Sequence, residues 1–244
     1  MTTVKRRCAG CSKVITTGRS DRRYCSAACK QRAHRRIVSR NESVTATGPV
    51  ESVIGGSNGK LIAGAVRLGY LGDPAATVLD TTYGRGGFWT QYRPAGLVRT
   101  VSDFRHLPHP DGSAPVICYD PPYISTGSRE TSTVDDLYAR YGLGEVKGWR
   151  SLRHLIDEGL AECARVLAPR GHLLVKCMDY VESGRKVWNT FHVAAEGERL
   201  GLRLLDRFHH LTGGGPQVMT NLDGSPREQQ HAREVTSMLL VFTK

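Results

Sequence analysis

The chain has 244 residues, enough for one α/β domain and a small appendage. It contains no apolar run of about 18 residues and no signal-peptide pattern, which argues against a membrane-spanning or exported protein and for a soluble, intracellular one without membrane partners. Its seven cysteines, an odd number, argue against a disulfide framework.

The charge is uneven. Residues 1–40 hold 12 Lys+Arg against one acid, Asp21, while the rest of the chain is balanced, so the whole net charge of +11 lies in this first segment. A basic arm on a neutral domain is an expected footprint of nucleic-acid binding. Cys8-x2-Cys11 followed by Cys25-x3-Cys29 reads as a four-thiolate structural zinc site, because each close pair can reach one tetrahedral ion. His34 could replace one cysteine, at a less natural spacing. Gly10 and Gly18 supply the turns, and metal binding must supply folding energy that so short and polar a segment cannot draw from a core. From Ser26, a helix N-cap, the sequence reads as a helix made basic by Lys30, Arg32, Arg35 and Arg36, suited to phosphate contact. Tyr24-Cys25-Ser26 ahead of Cys29-Lys-Gln-Arg-Ala33 resembles small zinc modules at the ends of bacterial and phage proteins, which implies a bacterial cytoplasm, or a host's for a phage protein. The zinc module is assigned to residues 1–38, a Ser/Thr/Asn/Gly/Pro-rich linker to 39–50, and the main domain to 51–244.

Residues 53–68 carry glycines and then a helical apolar pattern, with Leu61, Ala65 and Leu68 on one face. Residues 76–80 read as a buried strand ending in Asp80, followed by a glycine-rich turn, Thr81-Thr82-Tyr83-Gly84-Arg85-Gly86-Gly87-Phe88-Trp89, and a possible helix. Such a turn lets backbone approach a ligand closely, and a helix N-terminus favours a carboxylate. A dinucleotide could use it too, although the spacing is not that of the dinucleotide fingerprint. Residues 98–108 form another strand-then-turn with Asp103 and Phe104, and only a short segment joins Trp89 to Val98. Residues 115–119 form a third apolar strand, tipped by Asp120-Pro121-Pro122-Tyr123. Asp120 can accept a hydrogen bond, the Pro121 carbonyl can accept another, and Tyr123 offers a face for a base.

This tetrapeptide resembles motif IV of the S-adenosylmethionine-dependent amino methyltransferases, which modify adenine N6 or cytosine N4 in DNA. The glycine-rich turn resembles the family's motif I, residues 98–104 its motif III, and residues 53–68 its motif X. The resemblance covers residues 53–244 and implies a three-layer α/β sandwich of the class I, Rossmann-like type. It implies donor binding by Asp80, Thr81, Tyr83, Gly84, Gly86, Gly87 and Phe88, with Asp80 near the donor's ammonium, and by Asp103 and Phe104 at its adenine. Asp120, Pro121, Pro122 and Tyr123 become the catalytic group, acting on a flipped base by direct transfer to nitrogen. Cys118 precedes the motif but reads as a small buried strand residue rather than a nucleophile. The short segment after Trp89 departs from relatives, which place a further strand, helix and ribose-binding acid there. Adenine N6 of DNA is the expected target. Cytosine N4, RNA, a protein amide nitrogen, and an inactive fold serving as a zinc-dependent nucleic-acid-binding module are the alternatives. Oligomeric state is not legible.

Residues 124–148 read as a substrate-facing loop containing Arg129, Arg140 and Lys147. A helix is expected over 149–167, a strand over 172–178 with Lys176 as a pocket-edge candidate, a helix over 189–202, and closing strands over 204–211 and 237–243. A Gly213-Gly-Gly-Pro216 loop and a basic segment at 227–233 separate the last two, and His209, His210 and His231 read as ordinary loop or surface histidines.

Overall fold

A computed structural model describes residues 6–8, 11–15, 23–33, 44, 48–100, 102–123, 143, 146–211, 223, 225, 228, 230–232 and 234–244. Gly10, Gly18, His34, Arg35, Arg36, most of the linker, most of the expected substrate loop, the Gly213–Pro216 run and, in the basic segment, Arg227, Gln229 and Arg233 lie outside the described residues.

In the arm, β1 (Arg6–Arg7) and β2 (Val14–Ile15) pair antiparallel, and residues 27–33 are helical. Ser26 caps that turn as expected: its hydroxyl accepts from the Cys29 N–H at 3.2 Å.

The main domain contains β3 (Val53–Gly55), helix α1 (Asn58–Arg67), β4 (Thr77–Asp80), β5 (Gly96–Arg99) and β6 (Ala114–Tyr119). Then come helix α2 (Gly148–Val166), β7 (Leu167–Cys177), a hairpin of β8 (Tyr180–Glu182) and β9 (Arg185–Val187), helix α3 (Asn189–Arg199), β10 (Arg203–Leu211) and β11 (Thr236–Thr243). Seven strands form one sheet in the order β3-β10-β11-β7-β6-β4-β5. Strand β11 runs antiparallel to both its neighbours, and the other adjacent pairs are parallel.

Side chains alternate between two buried faces. Ile117, Tyr119, Leu173, Val175, Leu240 and Phe242 point to the side covered by α2 and α3. Val116, Cys118, Leu174, Leu239 and Val241 point to the side covered by α1. Helices on both faces of a mostly parallel sheet make the expected three-layer α/β sandwich. The seam of α2 follows its 3.6-residue period through Leu152, Leu155, Ile156, Leu160 and Cys163; each buried leucine or isoleucine contributes about 1.5–3 kcal/mol.

One expectation about the elements needs correction. The helix after Gly87 is a 3-10 turn only, Gly87–Thr90, with non-helical dihedrals at Trp89. Phe88 and Trp89 are both buried in the α1-side core, and Pro94, which has no N–H to donate, follows four residues after the turn. Within the segment assigned as linker, Val44 is buried in that same core.

Candidate active site

Strand order locates the site. From β4 the chain steps outward to the edge strand β5, then returns across β4 to β6. The crevice outside the carboxyl ends of β4 and β6 is therefore a topological switch point, where open α/β sheets bind ligands. Register brings Asp80 opposite Cys118, so the turns after both strands open side by side.

Those two turns are laced together. Thr81 donates to the Cys118 carbonyl through its backbone N–H at 3.1 Å and its hydroxyl at 3.2 Å. The Asp120 N–H donates to Thr82 Oγ1 at 2.6 Å. Asp80 accepts from the Trp89 indole N–H at 2.6 Å and the Thr82 N–H at 3.1 Å. Burial pushes its carboxyl up to about 7, against the lowering by these two donors.

Gly84 (φ 49°) and Gly86 (φ 72°) adopt left-handed backbone, and a Cβ on Gly86 would lie 2.8 Å from the Tyr83 hydroxyl. The turn thus packs more closely than residues with side chains would permit, leaving backbone as its approachable surface. Arg93 donates to the Tyr83 hydroxyl at 3.2 Å, and the Arg99 guanidinium lies 5.6 Å from the ring centre. Arg85 is exposed.

Some expected donor ligands face elsewhere. The Thr81 side chain serves the Cys118 carbonyl, Phe88 lies in the α1-side core, and Phe104 lies in the α2-side core with its ring edge-on to Tyr119 at 5.3 Å. Only their backbone remains for a ligand. Asp103 ends the β5 turn, gripped by Arg105 at 2.6 Å, which holds its carboxyl below the ordinary range. A carboxylate has about four acceptor directions, so both Asp80 and Asp103 can still take another donor.

Asp120 is the exception to this satisfied network. Its Oδ1 is buried and has no hydrogen-bond partner among the described residues, although 27% of the side chain's surface remains accessible. Pro121 and Pro122 are buried beside it, and Tyr123 is half-buried. Across from it stands Lys176 on β7, 4% exposed, with Nζ 3.8 Å from Asp120 Oδ1. The same ammonium donates to the Tyr123 hydroxyl at 3.2 Å and sits 5.2 Å from the ring centre. Burial pushes the Asp120 carboxyl up, while Lys176 and then His210 pull it down. For Lys176, burial alone would lower the ammonium; the charge of Asp120 and the contact with Tyr123 outweigh it and raise it.

His210 is a residue that sequence reasoning misplaced. It is buried on β10, not in a surface loop; Nε2 donates to the Gly56 carbonyl at 2.8 Å, and Nδ1 meets the Ser237 hydroxyl at 3.3 Å. The available signal was the strand period, which puts His210 on the same face as the apolar Phe208. Trp89 as the partner of Asp80 and Thr82 as the partner of Asp120 had no sequence signal beyond proximity.

In the arm, the sulfurs of Cys8, Cys11, Cys25 and Cys29 lie within 4.8 Å of one another. Cys11 and Cys25 are 3.6 Å apart and Cys25 and Cys29 3.4 Å. Four sulfurs about 2.3 Å from a tetrahedral ion stand about 3.8 Å apart, so this donor set fits one metal.

No protein-family model matches the chain, and no curated protein sequence does. Among solved structures it is similar to a candidate DNA modification methylase of Thermus thermophilus complexed with S-adenosyl-L-methionine, at 15% identity and a TM-score of 0.39. That match covers 69% of this chain and 55% of the other, so it spans little more than half of that protein. It is also similar to the PvuII DNA methyltransferase, described as cytosine-N4-specific, at 12% identity and a TM-score of 0.38, over 56% of this chain and 44% of the other. A TehB-like S-adenosylmethionine-dependent methyltransferase from Corynebacterium glutamicum matches at 16% identity and a TM-score of 0.39, over 90% of this chain and all of the other. No helix among the described residues is long and apolar enough to cross a membrane.

Proposed function

We propose that this chain is an S-adenosylmethionine-dependent amino methyltransferase that modifies the exocyclic N6 of adenine in DNA. The observation that carries the reading is the buried Oδ1 of Asp120 at the switch point, which has no hydrogen-bond partner among the described residues and only the Lys176 ammonium 3.8 Å away, beside Tyr123 and joined through Thr82 to the glycine-rich turn. A buried acceptor without a donor is costly, and a substrate amino group supplies the missing donor.

The donor, when bound, supplies a methyl group on a sulfonium. The backbone of Gly84, Gly86 and Gly87 would hold it, with Asp80 to accept from its ammonium and Asp103 from its adenine. On the substrate side, Asp120 and the Pro121 carbonyl accept the two amino hydrogens. They turn the nitrogen lone pair out of conjugation and toward the methyl carbon, and Tyr123 stacks on the ring. A nitrogen–carbon bond forms, a carbon–sulfur bond breaks, and positive charge develops on nitrogen beside the Asp120 carboxylate. That nitrogen then passes one proton to solvent water, which leaves the neutral methylamino product. Lys176 favours the ionised form of Asp120 against the opposing effect of burial and steadies Tyr123. The arm holds zinc in its four thiolates and contacts phosphates through its basic residues.

Labelled donor and DNA, followed by digestion to nucleosides and mass measurement, test this. N6-methyladenine is expected with the native protein and none with Asp120→Ala, while donor binding is largely kept. N4-methylcytosine without N6-methyladenine refutes the adenine assignment, and transfer that survives Asp120→Ala refutes the mechanism.

A further inference from the structure

A second surface carries chemistry that the active site does not use. The β8–β9 hairpin follows β7 after two residues, so it leaves the sheet at the same carboxyl edge as Asp120. It and the starts of α2 and α3 line a groove of about 380 Å³ that includes Trp149, Arg153, Arg185, Lys186, Trp188 and Phe191. Trp188 is 51% exposed and Phe191 68% exposed, their rings 5.9 Å apart. Such large aromatic surface left open at a groove marks a binding surface more often than an idle one.

The other wall is cationic. Guanidinium groups of Arg150, Arg153 and Arg185 lie 4.5, 5.1 and 5.0 Å from the Trp149 ring centre. None of the three forms an ion pair among the described residues, and the buried Nε of Arg153 has no hydrogen-bond partner there. Lys186 lies 5.3 Å from the Trp188 ring centre and bonds Glu234 at 2.7 Å. Arginines stacked on an indole keep their edge N–H groups directed outward, where phosphate oxygens match them. Open aromatic faces next to them match bases, and only unpaired bases have faces to offer.

We propose that this groove binds unpaired nucleotides of a nucleic-acid strand, with bases on Trp188 and Phe191 and phosphates on Arg153 and Arg185. The proposal rests on the nucleic-acid reading of the active site and extends it: the groove holds the strand next to the nucleotide presented to Asp120. This locates strand engagement in the folded domain as well as in the basic arm.

The test uses the full chain with zinc and a fluorescein-labelled oligothymidylate, with an abasic oligonucleotide of equal length as a second probe. Thymine has no exocyclic amino group, so binding reads the groove independently of methyl transfer. Quenching of Trp188 fluorescence and tighter binding of oligothymidylate than of the abasic strand are expected. Trp188→Ala and Phe191→Ala, both at exposed positions, should each weaken oligothymidylate binding about tenfold and leave abasic binding unchanged. Arg153→Gln with Arg185→Gln should reduce the slope of log affinity against log salt by about 1.4, at about 0.7 per phosphate on a single strand. Equal affinity of the native protein for both probes, or unaltered oligothymidylate binding in the two aromatic variants with normal melting temperatures, overturns the proposal. Trp188-dependent binding by a protein that methylates no nucleic acid upholds the groove and overturns the active-site reading.

Discussion

Asp80 makes stability depend on pH in an unusual direction. Its carboxyl rises from an ordinary 3.8 to about 7 through burial, despite the N–H groups of Trp89 and Thr82. A carboxylate with a lowered value loses its stabilising effect as pH falls; a raised one acts oppositely. Between the two values the native protein keeps a proton that the unfolded chain has released, so stability falls as pH rises toward about 7 and levels off above it. From pH 5 to pH 8 about two units of that slope are crossed, worth about 3 kcal/mol. Asp80→Asn removes the titration. Its amide has one acceptor for two donors, which costs about 1–3 kcal/mol at every pH. Urea unfolding of both proteins at pH 5 and pH 8 separates the two effects. The native protein should lose about 3 kcal/mol more than the variant on going to pH 8. Losses equal within about 1 kcal/mol would show that the Asp80 carboxyl is not raised.

Other consequences are as direct. An ammonium next to Asp80 is favoured by the ionised form, so S-adenosylmethionine binding should tighten between pH 6 and pH 8; calorimetry showing constant affinity would move the ammonium away from Asp80. Lys176→Met leaves Asp120 buried without its cation, so the acidic limb of the transfer rate should move to higher pH, and an unmoved limb would deny Lys176 that part. Gly159 on α2 lies against Tyr119, and a Cβ there would come within 2.7 Å of Phe104 Cδ2, so Gly159→Ala should cost about 1–3 kcal/mol and lower the melting temperature by several degrees. Stripping metal with a strong chelator should abolish amide protection in residues 6–33 while the main domain melts unchanged; persistent protection would remove the metal from the arm's folding.

Much of the framework was legible because burial on both faces produces unbroken apolar runs. Val78 and Leu79, and residues 116–119, read as strands for that reason, as α2 did from its period. The four cysteines were legible because their spacing is local. The β8–β9 hairpin was not, since its eight residues carry Glu182, Arg185 and Lys186 around a Ser183-Gly184 turn and show little apolar alternation. The bond from the Asp120 N–H to Thr82 depends on which strands lie side by side, and pairing across 38 residues leaves no local pattern. Lys176 was noticed as a candidate, yet its 4% exposure follows only from the closeness of Asp120 and Tyr123.

The burial of Val44 shortens the tether between the two modules. Ala33 is the last residue of the arm's described helical stretch, and eleven peptide steps separate it from Val44, so the two lie within about 40 Å by any path. That reach is on the order of one turn of a DNA duplex, about 34 Å. Where arm and groove both hold one strand, the first to bind raises the local concentration for the second, and two weak grips act as one firm one. Lengthening the chain between Arg40 and Val44 should then loosen the hold on long strands while leaving a strand too short to reach both unaffected.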